Sequence, residues 1–142
     1  MRKAVLMMLL AFAGNAEAAE WADWLVRGSA FGEWVVVDRK EGFAVYVNSG
    51  TIRETNGIAT MWGMTDFVPD KGAAPAKGAL SHRIEREYDC NRQQMRTLYV
   101  SRHSGNMGEG EVIGSDANAG GWQLVMLGTI GDRMWRIACG KR

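Results

Sequence analysis

Two cysteines, Cys90 and Cys139, are the only thiols in a chain of 142 residues, and they stand 49 positions apart. What such a pair does depends on where the chain ends up, and the N-terminus speaks to that. Arg2 and Lys3 form a short basic head, Ala4 to Ala13 is an uncharged apolar run, and Ala16-Glu17-Ala18 supplies the small-x-small pattern of a signal-peptidase site. The run is shorter than the roughly 20 residues a membrane-spanning helix needs, although a retained N-terminal anchor is the alternative. Export to an oxidising compartment makes one disulfide the expected state of two cysteines. Two buried free thiols or a metal pair are the other readings, and with only His82 and His103 as helpers a zinc site is poorly furnished. Closing so long a loop stabilises by about 4 kcal/mol in the chain-entropy model. A domain's whole stability is only about 5–15 kcal/mol, so a Cys90–Cys139 bridge would dominate its design.

Cleavage after Ala18 leaves 124 of the 142 residues, a length that suits one domain over 19–142. The lost segment takes two of 17 basic residues and one of 16 acidic ones, leaving 15 of each and no formal net charge. That argues against nucleic acid as a partner, because such proteins carry a strongly basic surface. It also leaves no polybasic segment for anionic lipid. No stretch of the mature chain is apolar enough to span a bilayer as a helix, and no cysteine near the cleavage region could accept an acyl anchor.

Alternating apolar and polar residues predict a mainly β domain. Trp21, Trp24 and Leu25 have helical spacing in the opening segment, which Gly28 would end. Strands are then expected at 34–37, 43–47, 58–66, 80–90, 93–103, 111–113 and 122–125. Asn48-Ser49-Gly50 and Asn56-Gly57 read as turns, and 67–79, with Pro69 and Pro75, as a long irregular connection, either functional or merely a connector. Gly63 inside a strand marks a bulge or a place where something packs close over the backbone. Thr129 followed by Asp132 resembles a capping box. Ile130, Met134, Ile137 and Ala138 then share one helical face, with Gly140 placed to end the helix. This helix would carry Cys139 back to the strand of Cys90.

Few residues suggest chemistry. His82 and His103 are the candidates for acid–base work, yet each stands alone among arginines, where a surface or interface role is commoner. Asp66 and Asp89 lack metal-ligand spacing and read as capping or ion-pairing groups. Ser81 and Ser101 lack nucleophile-elbow surroundings. The run Gly105-Asn106-Met107-Gly108-Glu109-Gly110 is a turn, since a phosphate loop requires a helix after it and a strand follows instead. Six tryptophans are an excess. Trp62 and Trp122, in predicted strands, are expected in the core, Trp62 against the C-terminal helix, while Trp21 and Trp24 are candidates for partner anchors.

The ordered set Val45-Tyr46-Val47, Thr51-Ile52-Arg53, Met61 to Asp66, Ser81, Glu87-Tyr88-Asp89-Cys90, Gly105 to Gly108, Trp122 and a terminal helix ending in Cys139 resembles the bacterial surface-adhesin protein E family. The resemblance implies an α+β fold: a small antiparallel sheet of about six strands, roughly PAS-like, with the C-terminal helix laid on it and pinned by Cys90–Cys139. It implies no catalytic activity. Trp62, Asp66, Tyr88 and Trp122 are expected to be structural, and no cofactor is expected. For the family's namesake it implies surface display and binding to host matrix proteins. The expected function is an exported binding domain with a protein partner, periplasmic or on the outer surface. The alternative is a periplasmic structural or envelope-interaction protein without adhesive role.

Overall fold

Strand alternation organises the chain into a meander. The computed structural model describes residues 34–69, 71 and 78–141. The signal segment, the Trp21/Trp24/Leu25 segment and most of the proline-bearing connection lie outside the described residues. Strands β1 (Trp34–Arg39), β2 (Phe43–Thr55), β3 (Ile58–Phe67), β4 (Ser81–Asp89), β5 (Gln94–His103) and β6 (Val112–Asp116) follow one another across one antiparallel sheet. A two-residue β7 (Gln123–Leu124) pairs with the start of β5. One α-helix, α1 (Ile130–Ala138), completes the described elements. This is the α+β architecture expected from the resemblance.

The β2–β3 hairpin shows how local chemistry sets register. Asn56 (φ 52°) and Gly57 (φ 79°) both occupy the left-handed region that a two-residue turn with the twist of its strands requires. Thr55 and Ile58 therefore pair directly. At the next hairpin, Asp89 Oδ1 accepts hydrogen bonds from the backbone N–H groups of Asn91 (3.0 Å) and Arg92 (2.9 Å), closing the turn between β4 and β5. Asn48-Ser49-Gly50, expected as a turn, is instead an irregularity within β2, whose pairing with β3 shifts between Asn48 and Arg53. Side chains replace the missing ladder bonds there. Asn48 Oδ1 accepts from Gly50 N at 3.1 Å, and Thr51 Oγ1 donates to the Asn48 carbonyl at 2.6 Å. Thr51 Oγ1 also accepts from Trp62 N at 3.0 Å, so β3 remains bonded across the gap.

Helix α1 starts where the sequence signals it. Thr129 Oγ1 accepts from Asp132 N at 3.2 Å, and Asp132 Oδ2 accepts from Gly128 N at 3.1 Å, one residue earlier than a capping box reaches. The helix lies on the sheet face made by Val45, Val47, Ala59, Met61 and Tyr88, and contributes Met134, Trp135 and Ala138 to that core. Tyr88 is fully buried. Trp135, absent from the predicted apolar face, is buried too, and its Nε1 donates to the Asp89 carbonyl at 2.8 Å. One residue further along β4's exit, Cys90 is bonded to Cys139, with Cα atoms 5.5 Å apart. Arg133 secures the other end by donating to the Val37 carbonyl (3.2 Å) and pairing with Asp38 (3.6 Å).

Two tryptophan expectations need correction. Trp62 does not pack against α1. Strand alternation gives the helix-facing positions of β3 to Ala59 and Met61, and puts Trp62 on the opposite face, half-buried. The small residues explain the choice, since Ala59 and Gly63 let other groups approach the sheet closely. At Gly63 an added Cβ would stand 3.2 Å from Arg86 Nη1, so a side chain closes over this backbone and β3 keeps its register there. Trp122 is not a core residue. It precedes the two-residue β7, is 36% exposed, and has the Arg96 guanidinium stacked over its ring at 4.7 Å. With β7 pairing only at Gln94 and Met95, this segment is too short to bring Trp122 into the sheet's interior.

Candidate functional site

The face opposite α1 carries an open groove of about 320 Å³. Its walls come from the strands in order: Trp34 from β1, Asn48 and Thr51 from the irregular part of β2, Trp62 from β3, Arg83 from β4, Ser101 and His103 from β5. The register explains the assembly. Trp34 is opposite Asn48 and Asn48 opposite Trp62 in one row, and Arg83 is opposite Ser101 in the next, so two neighbouring rows on one face line the groove. Met64, fully buried, lies between Tyr46 and Arg83 in the second of these rows. Tyr99 extends the aromatic wall, meeting Trp62 edge-on with ring centroids 5.8 Å apart.

At one end the groove is polar. Ser101 and His103 are both buried, and Ser101 Oγ and His103 Nε2 are hydrogen-bonded at 2.8 Å. The other ring nitrogen, Nδ1, is buried without a hydrogen-bond partner. Burial, reinforced by the Arg83 charge, holds the His103 pKa below its ordinary value of 6.5, favouring the neutral ring. Arg83 Nε is likewise buried and unpartnered. Its guanidinium lies on the backbone of the 3-10 turn Asn106–Gly108, where a Cβ at Gly108 would collide with it.

That turn is anchored by two residues singled out from sequence. Asp66 Oδ1 accepts from Met107 N (2.6 Å) and from Asn106 Nδ2 (3.0 Å). Ser81 Oγ donates to the Gly105 carbonyl (2.6 Å) and accepts from Gly108 N (2.8 Å). Both therefore hold the turn on which the Arg83 guanidinium rests. The glycine run is a turn, as expected.

The two histidines are not brought together for acid–base chemistry. His82 pairs in register with Thr65 and packs edge-on against Phe67 (5.1 Å), whereas His103 is opposite Ser81 and lines the groove. Burial, with Arg102 and His103 nearby, lowers the His82 pKa as well. Sequence reasoning missed the Ser101–His103 pair and Arg83. Their signal was available in part, since 101 and 103 alternate onto one strand face, but Arg83 joins them only through the β4–β5 register. A serine–imidazole pair is half of a nucleophilic triad, but here no third group orients the imidazole through Nδ1. Among the described residues no three His, Cys, Asp or Glu side chains group as metal ligands.

A second exposed feature is apolar. Leu124, Met126 and Leu127 are 64%, 62% and 72% exposed, while Val125 between them is buried under the helix.

The profile of a family described as surface-adhesin protein E matches residues 34–140. No curated protein matches the sequence significantly. Among solved structures, crystal form II of Haemophilus influenzae protein E aligns with a TM-score of 0.53 at 15% identity, covering 73% of this chain and 91% of that one. The selenomethionine form of the same protein aligns at 0.54 and 14% identity, covering 73% and 90%. A further structure of it gives 0.52 and 16%, covering 73% and 88%. At such identities the likeness is one of fold.

Proposed function

Because the chain belongs to the surface-adhesin protein E family, we propose that it is an exported, non-enzymatic binding domain that engages a protein partner at the cell envelope through the groove opposite α1. The observation carrying this reading is the groove itself: one sheet face is committed to the helix, and the other offers indoles beside polar groups without partners. Aromatic side chains and arginine are the residue types that dominate protein interfaces. A groove of this size sits at the lower bound of small-molecule pockets, which suits the reception of a side chain better than that of a cofactor. Export by a signal peptide ending at Ala18, without an acyl anchor, belongs to the same proposal. Among the described residues no helix is long and apolar enough to cross a membrane.

The test is binding of the exported protein to immobilised host matrix proteins, compared with Trp62→Ala and Trp34→Ala variants whose circular dichroism is unchanged. Saturable binding that both variants lose supports the reading; equal binding by all three removes the groove from it. Protease treatment of intact cells decides location, since only displayed protein is cut, and complete protection favours the periplasmic envelope role instead. An esterase or amidase activity abolished by Ser101→Ala would overturn the non-enzymatic part.

A further inference from the structure

The polar end of the groove presents donors without an acceptor. Arg83 makes no hydrogen bond or ion pair among the described residues, although its Nε is withdrawn from water. The acidic residues near it are otherwise placed: Asp66 is held by Asn106 and Met107, Glu87 pairs with Arg96 at 2.6 Å, and Glu85, two residues along the same strand face, forms no bridge to it. His103, only 6% exposed, has Nδ1 unpartnered while Nε2 is engaged by Ser101. A buried polar nitrogen left unpaired is costly, and two at one end of one cavity, one of them on a guanidinium that can only donate, point to an acceptor that arrives from outside.

We propose that this end of the groove is a receptor for a carboxylate, supplied by an acidic side chain of the partner polypeptide, with Arg83 as its cation, His103 as a second donor, and Trp34 and Trp62 as walls for the methylene stem. The proposal rests on the binding reading above and names the chemistry of the same site. The guanidinium fork matches a carboxylate's two oxygens, and a planar cation resting on Gly108 is held ready for it. In the tautomer whose Nε2 accepts from the Ser101 hydroxyl, the ring proton is on Nδ1, where it can be given to an anion. One guanidinium beside a neutral imidazole balances a single negative charge, which favours a carboxylate over a phosphate dianion. The cavity of about 320 Å³ accommodates one side chain rather than a large ligand.

Titration of the isotopically labelled exported protein with Ac-Leu-Glu-Leu-NH2, Ac-Leu-Gln-Leu-NH2 and sodium propionate, followed by nuclear magnetic resonance, tests this directly. The glutamate peptide should shift the Arg83 Nε–H and His103 ring signals and bind at least about tenfold more tightly than its glutamine counterpart. Arg83→Gln should reduce that preference to less than about twofold. Equal affinities for the two peptides on the wild-type protein, or shifts confined to other regions, overturn the proposal without any variant having to fold. Propionate binding as tightly as the glutamate peptide overturns the polypeptide source and assigns the groove to free acids. Matrix-protein binding that persists in Arg83→Gln, with no peptide discrimination, sinks the carboxylate inference alone. Peptide discrimination with no matrix-protein binding sinks the adhesive reading alone.

Discussion

Replacing both bridged cysteines, Cys90→Ser with Cys139→Ser, tests how the helix is held without leaving a reactive thiol. The bridge spans 49 residues, and a closed loop of that length removes about 4 kcal/mol of unfolded-chain entropy. The native contacts around it should survive. Met134, Trp135 and Ala138 stay in the core, Trp135 Nε1 stays bonded to the Asp89 carbonyl, and Arg133 still reaches Val37 and Asp38. The double variant should therefore fold, with its loss appearing almost wholly as a less constrained unfolded state. In urea, with a slope near 2 kcal/mol/M, about 4 kcal/mol corresponds to a midpoint lowered by roughly 2 M. The slope itself should rise, because a chain without the cross-link exposes more surface when it unfolds. Since the groove lies on the sheet face away from α1, ligand-induced shifts at Arg83 and His103 should persist below the new midpoint. A midpoint lowered by less than about 0.5 M, at unchanged slope, would refute the entropic reasoning. Loss of the groove's signals in folded protein would refute the independence of the two faces.

Trp62→Ala should cost about 2 kcal/mol in chemical denaturation, short of the roughly 3–5 kcal/mol of a fully buried aromatic, because Trp62 is half-buried and away from the helix. A loss at the upper end of that range would restore it to the core. Gly108→Ala should destabilise by about 1–2 kcal/mol, since Gly108 sits at φ 72° and a Cβ there strikes Arg83. It should also weaken carboxylate discrimination, and wild-type discrimination in that variant would dissociate Arg83 from the site. Stability should fall as pH drops below about 6.5. Both histidines have folded pKa values below their ordinary one, so within that window the unfolded chain binds more protons and stability rises with pH. A denaturation midpoint independent of pH from 7.5 to 5.5 would contradict the burial that lowers them, and His103→Gln should flatten part of the slope.

Much of the fold was legible because its signals are local. Alternation marked β3, β4 and β5 to within a residue or two, Asn56-Gly57 marked their first hairpin, and Thr129 with Asp132 marked the start of α1. The two cysteines supplied a long-range constraint, because a chain with two cysteines has one internal pairing to make. What alternation cannot decide is which of two strand faces a helix will cover. Ile58, Trp62 and Met64 are the bulkier set in β3, yet α1 lies over Ala59 and Met61, and Trp62 faces the groove. Asn48-Ser49-Gly50 has the composition of a turn, but cross-strand bonding to Thr51 and Trp62 carries the strand through it. Trp122 has the character of a core residue, but the strand it would have joined is only two residues long. The candidate site depends on tertiary structure most of all. Trp34, Trp62, Arg83 and His103 are tens of residues apart along the chain, and only the pairing of β1 to β5 sets them side by side. Composition names the donors, and register decides that they share one cavity with no acceptor among them.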